Sequence, residues 1–232
     1  MSARACVAGG AGDGCLESGR IRCLITAGPT REYFDPVRFI SNPSSGKMGY
    51  ALAQAALERG WAVELVSGPV ALTPPEGAVV TPVVTGAELL EAVRARFPQC
   101  DVLLMCAAVC DMRPVERSAQ KVKKDALGMT VTFEPVADVL KTVAAGKRPG
   151  QCVCGFAAET DDVEAHARQK LEAKNLDAIA ANHVGGADNA FEADSNRIVL
   201  LGRDGSRHVL GPGPKLDVAR AMLAALPVAK PG

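Results

Sequence analysis

The sequence predicts an α/β protein: a three-layer, Rossmann-like, mainly parallel sheet closed at one edge by an antiparallel hairpin. Three observations carry this expectation. Short apolar runs alternate with segments of helical period from Ile21 onward. The first apolar run, IRCLITAG, breaks into the long charged loop PTREYFDPVRFISNPSSG and resumes as a helical segment, KMGYALAQAALERG. Near the other end, two strand-like runs flank the turn Arg203-Asp204-Gly205, the signature of a hairpin.

Taken in order, the 20 residues before Ile21 carry the cluster GGAGDG at Gly9 to Gly14, which no strand precedes and no helix follows. They are expected to form a flexible tail, with the folded domain at 21–228. A strand is predicted over Ile21–Ala27 and a helix over Lys47–Arg59, whose Met48, Leu52, Ala55 and Ala56 fall on one stripe and whose Gly60 suits a left-handed cap. Strands follow at Ala62–Val66 and Val79–Val84, a helix at Ala87–Arg96, and a strand at Asp101–Ala107. Asp111–Asp125 reads as a basic, Pro-containing loop, leading to a strand at Met129–Phe133 and a helix near Ala137–Ala145. The remaining elements are a strand at Gln151–Ala157, a helix at Asp161–Ala173, strands at Asp177–Ala181, Arg197–Leu201 and Arg207–Leu210, and a closing helix at Leu216–Leu226.

Composition excludes several roles. Twenty-six basic residues balance 26 acidic ones in a chain of 232, so no global field draws it to nucleic acid or an anionic membrane. No apolar run approaches the roughly 20 residues of a membrane span, and the N-terminus lacks a signal-peptide core. A cytoplasmic location is expected. Of eight cysteines (Cys6, Cys15, Cys23, Cys100, Cys106, Cys110, Cys152, Cys154), four lie in apolar strand patterns and read as buried free thiols. Cys152 and Cys154 are read as facing opposite sides of their strand, and no second pair stands at zinc spacing. There is no G-x-S-x-G, no H-E-x-x-H, and none of the three histidines is near the first loop, which argues against nucleophilic or zinc-dependent hydrolysis.

Ligands in open parallel sheets bind beyond the carboxyl ends of the strands. Four segments meet that rule: Gly28–Gly46, Ala107–Lys124, the turn around Ala137, and Phe156–Thr160. In the first, Ser41 and Met48 stand where a P-loop needs Gly and Ser or Thr, so the Walker motif is absent. The serines before Lys47 either cap the helix or help its amides hold an anion. The run Lys121-Val-Lys-Lys supplies local positive charge, and Lys170 and Lys174 stand one turn apart on the face of His166, where they could reach one anion together. Each lysine group also has a plain reading as a solvated loop or a helix end favoured by the macrodipole. Together these features suit a nucleotide and a second anionic substrate. A G-x-G-x-x-G reductase fingerprint is missing after the first strand, where Pro29 follows Gly28. A non-catalytic nucleotide-binding module is the other alternative.

The segments TAGPTREYFDPVRFISNPSSGKMGYALA (Thr26 to Ala53), SGPV (Ser67 to Val70), AAVCDMRP with KVKK (Ala107 to Lys124), and GFAAET continuing to ARQKLEAKNLD (Gly155 to Asp177) resemble phosphopantothenoylcysteine synthetase of the bacterial CTP-dependent type, also called phosphopantothenate–cysteine ligase. The resemblance runs from about Ile21 to Leu226. It implies a ligase of coenzyme A biosynthesis, unrelated to the ATP-grasp enzymes, that joins 4'-phosphopantothenate to cysteine through an acyl-cytidylate, with CTP as co-substrate and Mg²⁺ as cofactor. By the same resemblance Asn42 stabilises the acyl nucleotide, Arg38 meets the substrate phosphate or carboxylate, and Lys121 neutralises the α-phosphate. Ala107, Asp111, Lys121, the backbone of Ala137, Asp138, Val139 and Leu140, and Phe156, Lys170 and Lys174 are the implied CTP contacts. The Mg²⁺ ligands are not assigned. Cys110, Pro43 and the segment Glu134–Leu140 depart from the family pattern. The family is dimeric, and the resemblance implies a homodimer. It often carries a flavin-dependent decarboxylase fused ahead of this domain, but only 20 residues precede the first strand here. A stand-alone ligase or an excised half is therefore expected, with room for association with a separate phosphopantothenoylcysteine decarboxylase.

Overall fold

The computed structural model describes residues 19–124, 130–184 and 193–228. The cluster at Gly9–Gly14, Cys6, Cys15 and Met129 lie outside them. The chain order is β1 (Arg22–Ala27), β2 (Arg31–Tyr33), β3 (Phe39–Ser41), α1 (Lys47–Glu58), β4 (Ala62–Ser67), β5 (Val79–Pro82), α2 (Gly86–Arg96), β6 (Val102–Met105), β7 (Met112–Pro114), β8 (Phe133–Pro135), α3 (Val139–Ala144), β9 (Cys152–Glu159), α4 (Val163–Ala173), β10 (Ala178–His183), β11 (Ser195–Gly202), β12 (Arg207–Pro214) and α5 (Lys215–Ala225). Eight strands form one sheet in the order β12-β11-β10-β9-β6-β1-β4-β5. The six from β10 to β5 run parallel. β11 and β12 add antiparallel at the edge, as the turn at Arg203–Gly205 predicts.

Strand alternation divides the apolar residues between two cores. Val102 and Leu104 of β6 join α1 and α5 on one face, while Leu103 and Met105 join α2, α3 and α4 on the other. Burial of both faces is what a parallel sheet requires, and it makes three layers. Cys152 and Cys154 both lie in the α1/α5 core, with Val153 on the opposite side. This corrects the expectation that the two thiols diverge: residues two apart on a strand share a face. Burial is the main cause that pushes the thiols of Cys100, Cys106 and Cys152 up to about 12, and it raises Cys23 and Cys154 as well. All six described cysteines are free. Thiols held neutral in this way are packing groups rather than nucleophiles.

α1 buries Met48, Leu52, Ala55 and Ala56, the predicted stripe. It ends in a Schellman motif: Gly60 donates to Leu57 and Trp61 to Ala56, with Gly60 at φ +78°. At its start the N-cap is Gly46 in the left-handed region, without a side-chain cap. The expected serine cap gives way because Ser44 Oγ instead accepts from the Gly46 amide, at 3.4 Å. A true capping box appears on α2, where Thr85 and Glu88 satisfy each other's backbone amides.

Two small arms stand where the sequence predicts loop, apart from the strand expected at Met129–Phe133. β2 pairs with β3, and β7 pairs with β8, with β2 beside β7. Each strand has three residues, too short for a period-two pattern to register. Phe133 begins β8 rather than ending a strand. Among the described residues no helix is long and apolar enough to cross a membrane.

Candidate active site

The strand order reverses between β6 and β1, the position at which open α/β sheets leave a crevice. The loops leaving these two strands are laced together. Ala107 N–H donates to Thr26 Oγ1 (3.0 Å), Ala108 N–H to the Gly28 carbonyl (2.9 Å), Thr30 N–H to the Ala108 carbonyl (3.2 Å) and Cys110 N–H to Thr30 Oγ1 (2.9 Å). The lacing fixes a rigid floor. Three separated motifs close around one side chain above it. A Cβ on either Gly28 or Gly46 would meet Val70 Cγ1 at 2.8 Å, so TAGPT, SSGK and SGPV pack as one unit.

The loop from Gly28 to Gly46 is built by the β2–β3 arm. Asp35 is fully buried and organises its tip: Oδ1 accepts from the amides of Val37 and Arg38, both at 2.8 Å, and Oδ2 accepts from Arg38 Nη1 at 2.9 Å and Val122 N–H at 3.4 Å. Burial alone would raise the Asp35 pKa; these donors outweigh it and hold the carboxyl below its usual value. Arg38 also donates to the Val122 carbonyl at 3.3 Å. The two hydrogen bonds at Val122 bring Lys121 beside the Arg38 turn. Asn42 Nδ2 donates to the Val109 carbonyl at 2.9 Å, which fixes the amide and leaves its second N–H for a ligand.

Two cavities open along the carboxyl edge of the sheet. The larger, about 370 Å³, lies toward α1 and α5 and is lined by Asn42, Lys47, Asn182, Asn196 and Lys215 among others. The smaller, about 220 Å³, lies toward α3 and α4. It collects Ala107, Asp111, Ala137, Asp138, Val139, Leu140, Phe156, Lys170 and Lys174, nine of the ten residues expected at a nucleotide from the sequence. The cavities share Ala107, Val109, Asp111 and Phe156, so they meet along a common wall. Lys121, the tenth, is exposed and lines neither; Arg38 likewise stands outside both linings.

Lys170 and Lys174 share the smaller cavity, but each already faces a carboxylate. Lys170 Nζ is 2.6 Å from Glu159 Oε1, and Lys174 Nζ is 2.8 Å from Asp138 Oδ2. His166 lies 3.7 Å from the same Glu159. Asp138 is also the N-cap of α3, accepting from Lys141 N–H at 2.9 Å; these donors lower its pKa against the opposing effect of burial. Such a pocket is close to charge-balanced and offers backbone and side-chain polar groups around the ring of Phe156. It suits the neutral part of a nucleotide better than its phosphates.

Sequence reasoning missed Lys215, Asn196 and Asn182. Lys215 left a signal: a lysine opening the last helix opposes the macrodipole there. No set of three or more His, Cys, Asp or Glu side chains among the described residues could hold a metal ion.

A Rossmann-like open sheet with its crevice at the strand reversal places the protein among the α/β nucleotide-binding folds. Residues 19–228 match the family described as DNA/pantothenate metabolism flavoprotein, C-terminal domain, and the chain belongs to that family. It is similar to the Coenzyme A biosynthesis bifunctional protein CoaBC of Bacillus subtilis (strain 168), with 46% identity over 201 residues, covering 86% of this chain and 49% of that protein. The CoaBC of Escherichia coli (strain K12) is 45% identical over 190 residues, covering 81% and 47%. The chain thus spans about half the length of the curated relatives it matches. A crystal structure of the C-terminal domain of CoaBC superposes with a TM-score of 0.74 at 41% identity, covering 88% of this chain and 92% of that one. The DNA/pantothenate metabolism flavoprotein from Streptococcus pneumoniae shares the fold, with a TM-score of 0.74 at 22% identity.

Proposed function

We propose that the chain is a phosphopantothenate–cysteine ligase that uses CTP. The observation that carries this reading is the pair of cavities meeting at Ala107, Val109, Asp111 and Phe156, an arrangement suited to setting a nucleotide against a second substrate. The nucleoside occupies the smaller cavity, and 4'-phosphopantothenate enters the larger with its carboxylate at the common wall. A carboxylate oxygen attacks the α-phosphorus, and the bond to the bridging oxygen breaks as pyrophosphate leaves. The cysteine amine then attacks the acyl carbon, CMP departs with the C–O electron pair, and the amine proton is lost. Asn42, on the wall of the larger cavity, donates to the acyl nucleotide and to the tetrahedral species. Lys121 and Arg38, joined through Val122, supply positive charge from the arm side. Asp111 is the carboxylate common to both cavities and would be the protein ligand of Mg²⁺ held mainly by phosphate oxygens, where the ion neutralises phosphate charge.

Mixing the protein with 4'-phosphopantothenate, cysteine, Mg²⁺ and CTP is expected to release pyrophosphate and CMP in equal amounts. Binding of CTP without pyrophosphate release would leave a nucleotide-binding module and remove the ligase. ATP in place of CTP tests the base preference, which rests on the family likeness.

The two arms expose Val37, Phe39, Met112, Val115, Val131 and Phe133. Tyr33 and Phe39 meet at a tilt with centroids 5.1 Å apart, and Arg31 lies over the Phe39 ring at 4.6 Å and Arg117 over the Tyr33 ring at 5.4 Å. Apolar side chains of this size on an arm are suited to a second copy of the chain, in line with a homodimer. Sedimentation should give a dimer, and Phe39→Asp with Phe133→Asp a monomer; a wild-type monomer at micromolar concentration would rule this out.

A further inference from the structure

We infer that Thr30, which lines neither cavity, is the positioning residue for the Asn42 amide; the inference rests on the ligase reading and deepens it. Thr30 stands in the loop that leaves β1 and is 1% exposed. A hydroxyl taken out of water at that depth needs a partner. It has one in the Cys110 N–H, which donates to Thr30 Oγ1 at 2.9 Å.

The identity of that partner gives the role. The Cys110 N–H and the Val109 carbonyl belong to one peptide group, which is trans, so the two point in opposite directions across a rigid plane. Asn42 Nδ2 donates to that carbonyl at 2.9 Å. The plane is thus held by Thr30 at one end and holds Asn42 at the other. A hydrogen bond at its N–H also polarises its carbonyl, which strengthens the grip on Asn42. The main chain of Thr30 reaches the same target by a second route: its carbonyl accepts from Oγ of Ser41, the residue before Asn42, at 2.7 Å. Thr30 therefore fixes both the backbone from which the Asn42 side chain leaves and the acceptor on which its amide rests. The second N–H of that amide then keeps one direction, as a donor aimed at charge developing on an acyl oxygen must. Thr26 supplies the contrast. It too is buried, and its Oγ1 accepts from the Ala107 N–H at 3.0 Å, but the peptide group it holds is not the one that carries Asn42.

The test removes the hydroxyl and follows the two steps of the proposed reaction apart. Acyl nucleotide is formed from 4'-phosphopantothenate, CTP and Mg²⁺ without cysteine, and CMP release is timed after cysteine is added, at a temperature where every variant is folded. Thr30→Val is expected to slow CMP release about ten- to hundredfold, with pyrophosphate release little changed. Thr30→Ser keeps the oxygen and restores the rate. Thr30→Ala judged against Thr30→Ser makes the same comparison in a smaller side chain, and decides the matter if the valine variant does not fold. Added to Asn42→Ala, Thr30→Val should slow CMP release no further, because the group it positions is already gone. Thr26→Val loosens the same loop and should leave the balance between the two steps as in the wild type. The inference fails if Thr30→Val slows both steps equally, if Thr26→Val reproduces its effect, or if the loss persists in Asn42→Ala. A second readout needs no turnover: the Asn42 side-chain amide, identified as the NMR signal absent from Asn42→Asp, should shift in Thr30→Val and return in Thr30→Ser. An unmoved signal overturns the inference. If the wild type releases no pyrophosphate, the ligase reading falls, while the amide signal still decides whether Thr30 positions Asn42.

Discussion

Lys121→Gln is expected to abolish pyrophosphate release, with kcat/KM for CTP lowered roughly 100- to 1000-fold, about 3–4 kcal/mol of transition-state stabilisation. Asn42→Asp is expected to fail later. It should release close to one pyrophosphate per active site in a rapid burst, then accumulate the acyl nucleotide. The difference follows from where the two side chains stand. Lys121 lies on a segment tied to the buried Asp35 and to Arg38, outside the two linings; in the proposed reaction it would bring a full charge to the phosphoryl transfer. Asn42 lines the larger cavity and is held against the carbonyl of Val109, a residue of the common wall, so that its remaining N–H suits the acyl oxygen of the proposed intermediate. An aspartate there removes that donor and sets a negative charge against a carbonyl oxygen, opposing most strongly the tetrahedral species of the second step. Chemical-quench kinetics with labelled CTP distinguish the two. Should both variants stop before pyrophosphate leaves, the division of roles is wrong.

The parallel sheet and its helices were legible because the central strands are buried on both faces and the helices carry apolar stripes, as β6 and α1 illustrate. The smaller cavity was also legible, through a family likeness that brought residues from Ala107 to Lys174 to one place. Three kinds of information were not. The arms β2–β3 and β7–β8 are held by hydrogen bonds between distant segments, such as Val136 to Asp111 and Val115 to Thr132, which leave little local pattern. The charge partners of Lys170 and Lys174 come from β9 and the start of α3, so two lysines that look free on a helical face are paired in space. The helix start at Gly46 is decided by backbone conformation and the Val70 contact, not by the serines before it.

Gly68→Ala is expected to destabilise the protein by about 3 kcal/mol, lowering Tm by roughly 10 °C, and to impair the site as well. A Cβ at Gly68 would sit 1.9 Å from the Pro29 carbonyl oxygen and 2.9 Å from its carbon. Neither side can yield cheaply, since both are backbone: Gly68 N–H is bound to the Ala27 carbonyl at 2.9 Å, and Pro29 is bridged to Ala108. Moving Pro29 would pull on the same lacing that fixes the loops after β1 and β6, and Ala108 lines the larger cavity. The fold defect should therefore reach the substrate, seen as weaker 4'-phosphopantothenate binding at temperatures where the variant is still folded. Gly213→Ala is the matched control, because a Cβ there meets nothing within 4 Å. Its stability should lie within about 0.5 kcal/mol of wild type. If Gly68→Ala melts with the wild type, the close approach of the SGPV and TAGPT segments does not constrain the fold, and the rigid floor beneath the cavities loses its basis.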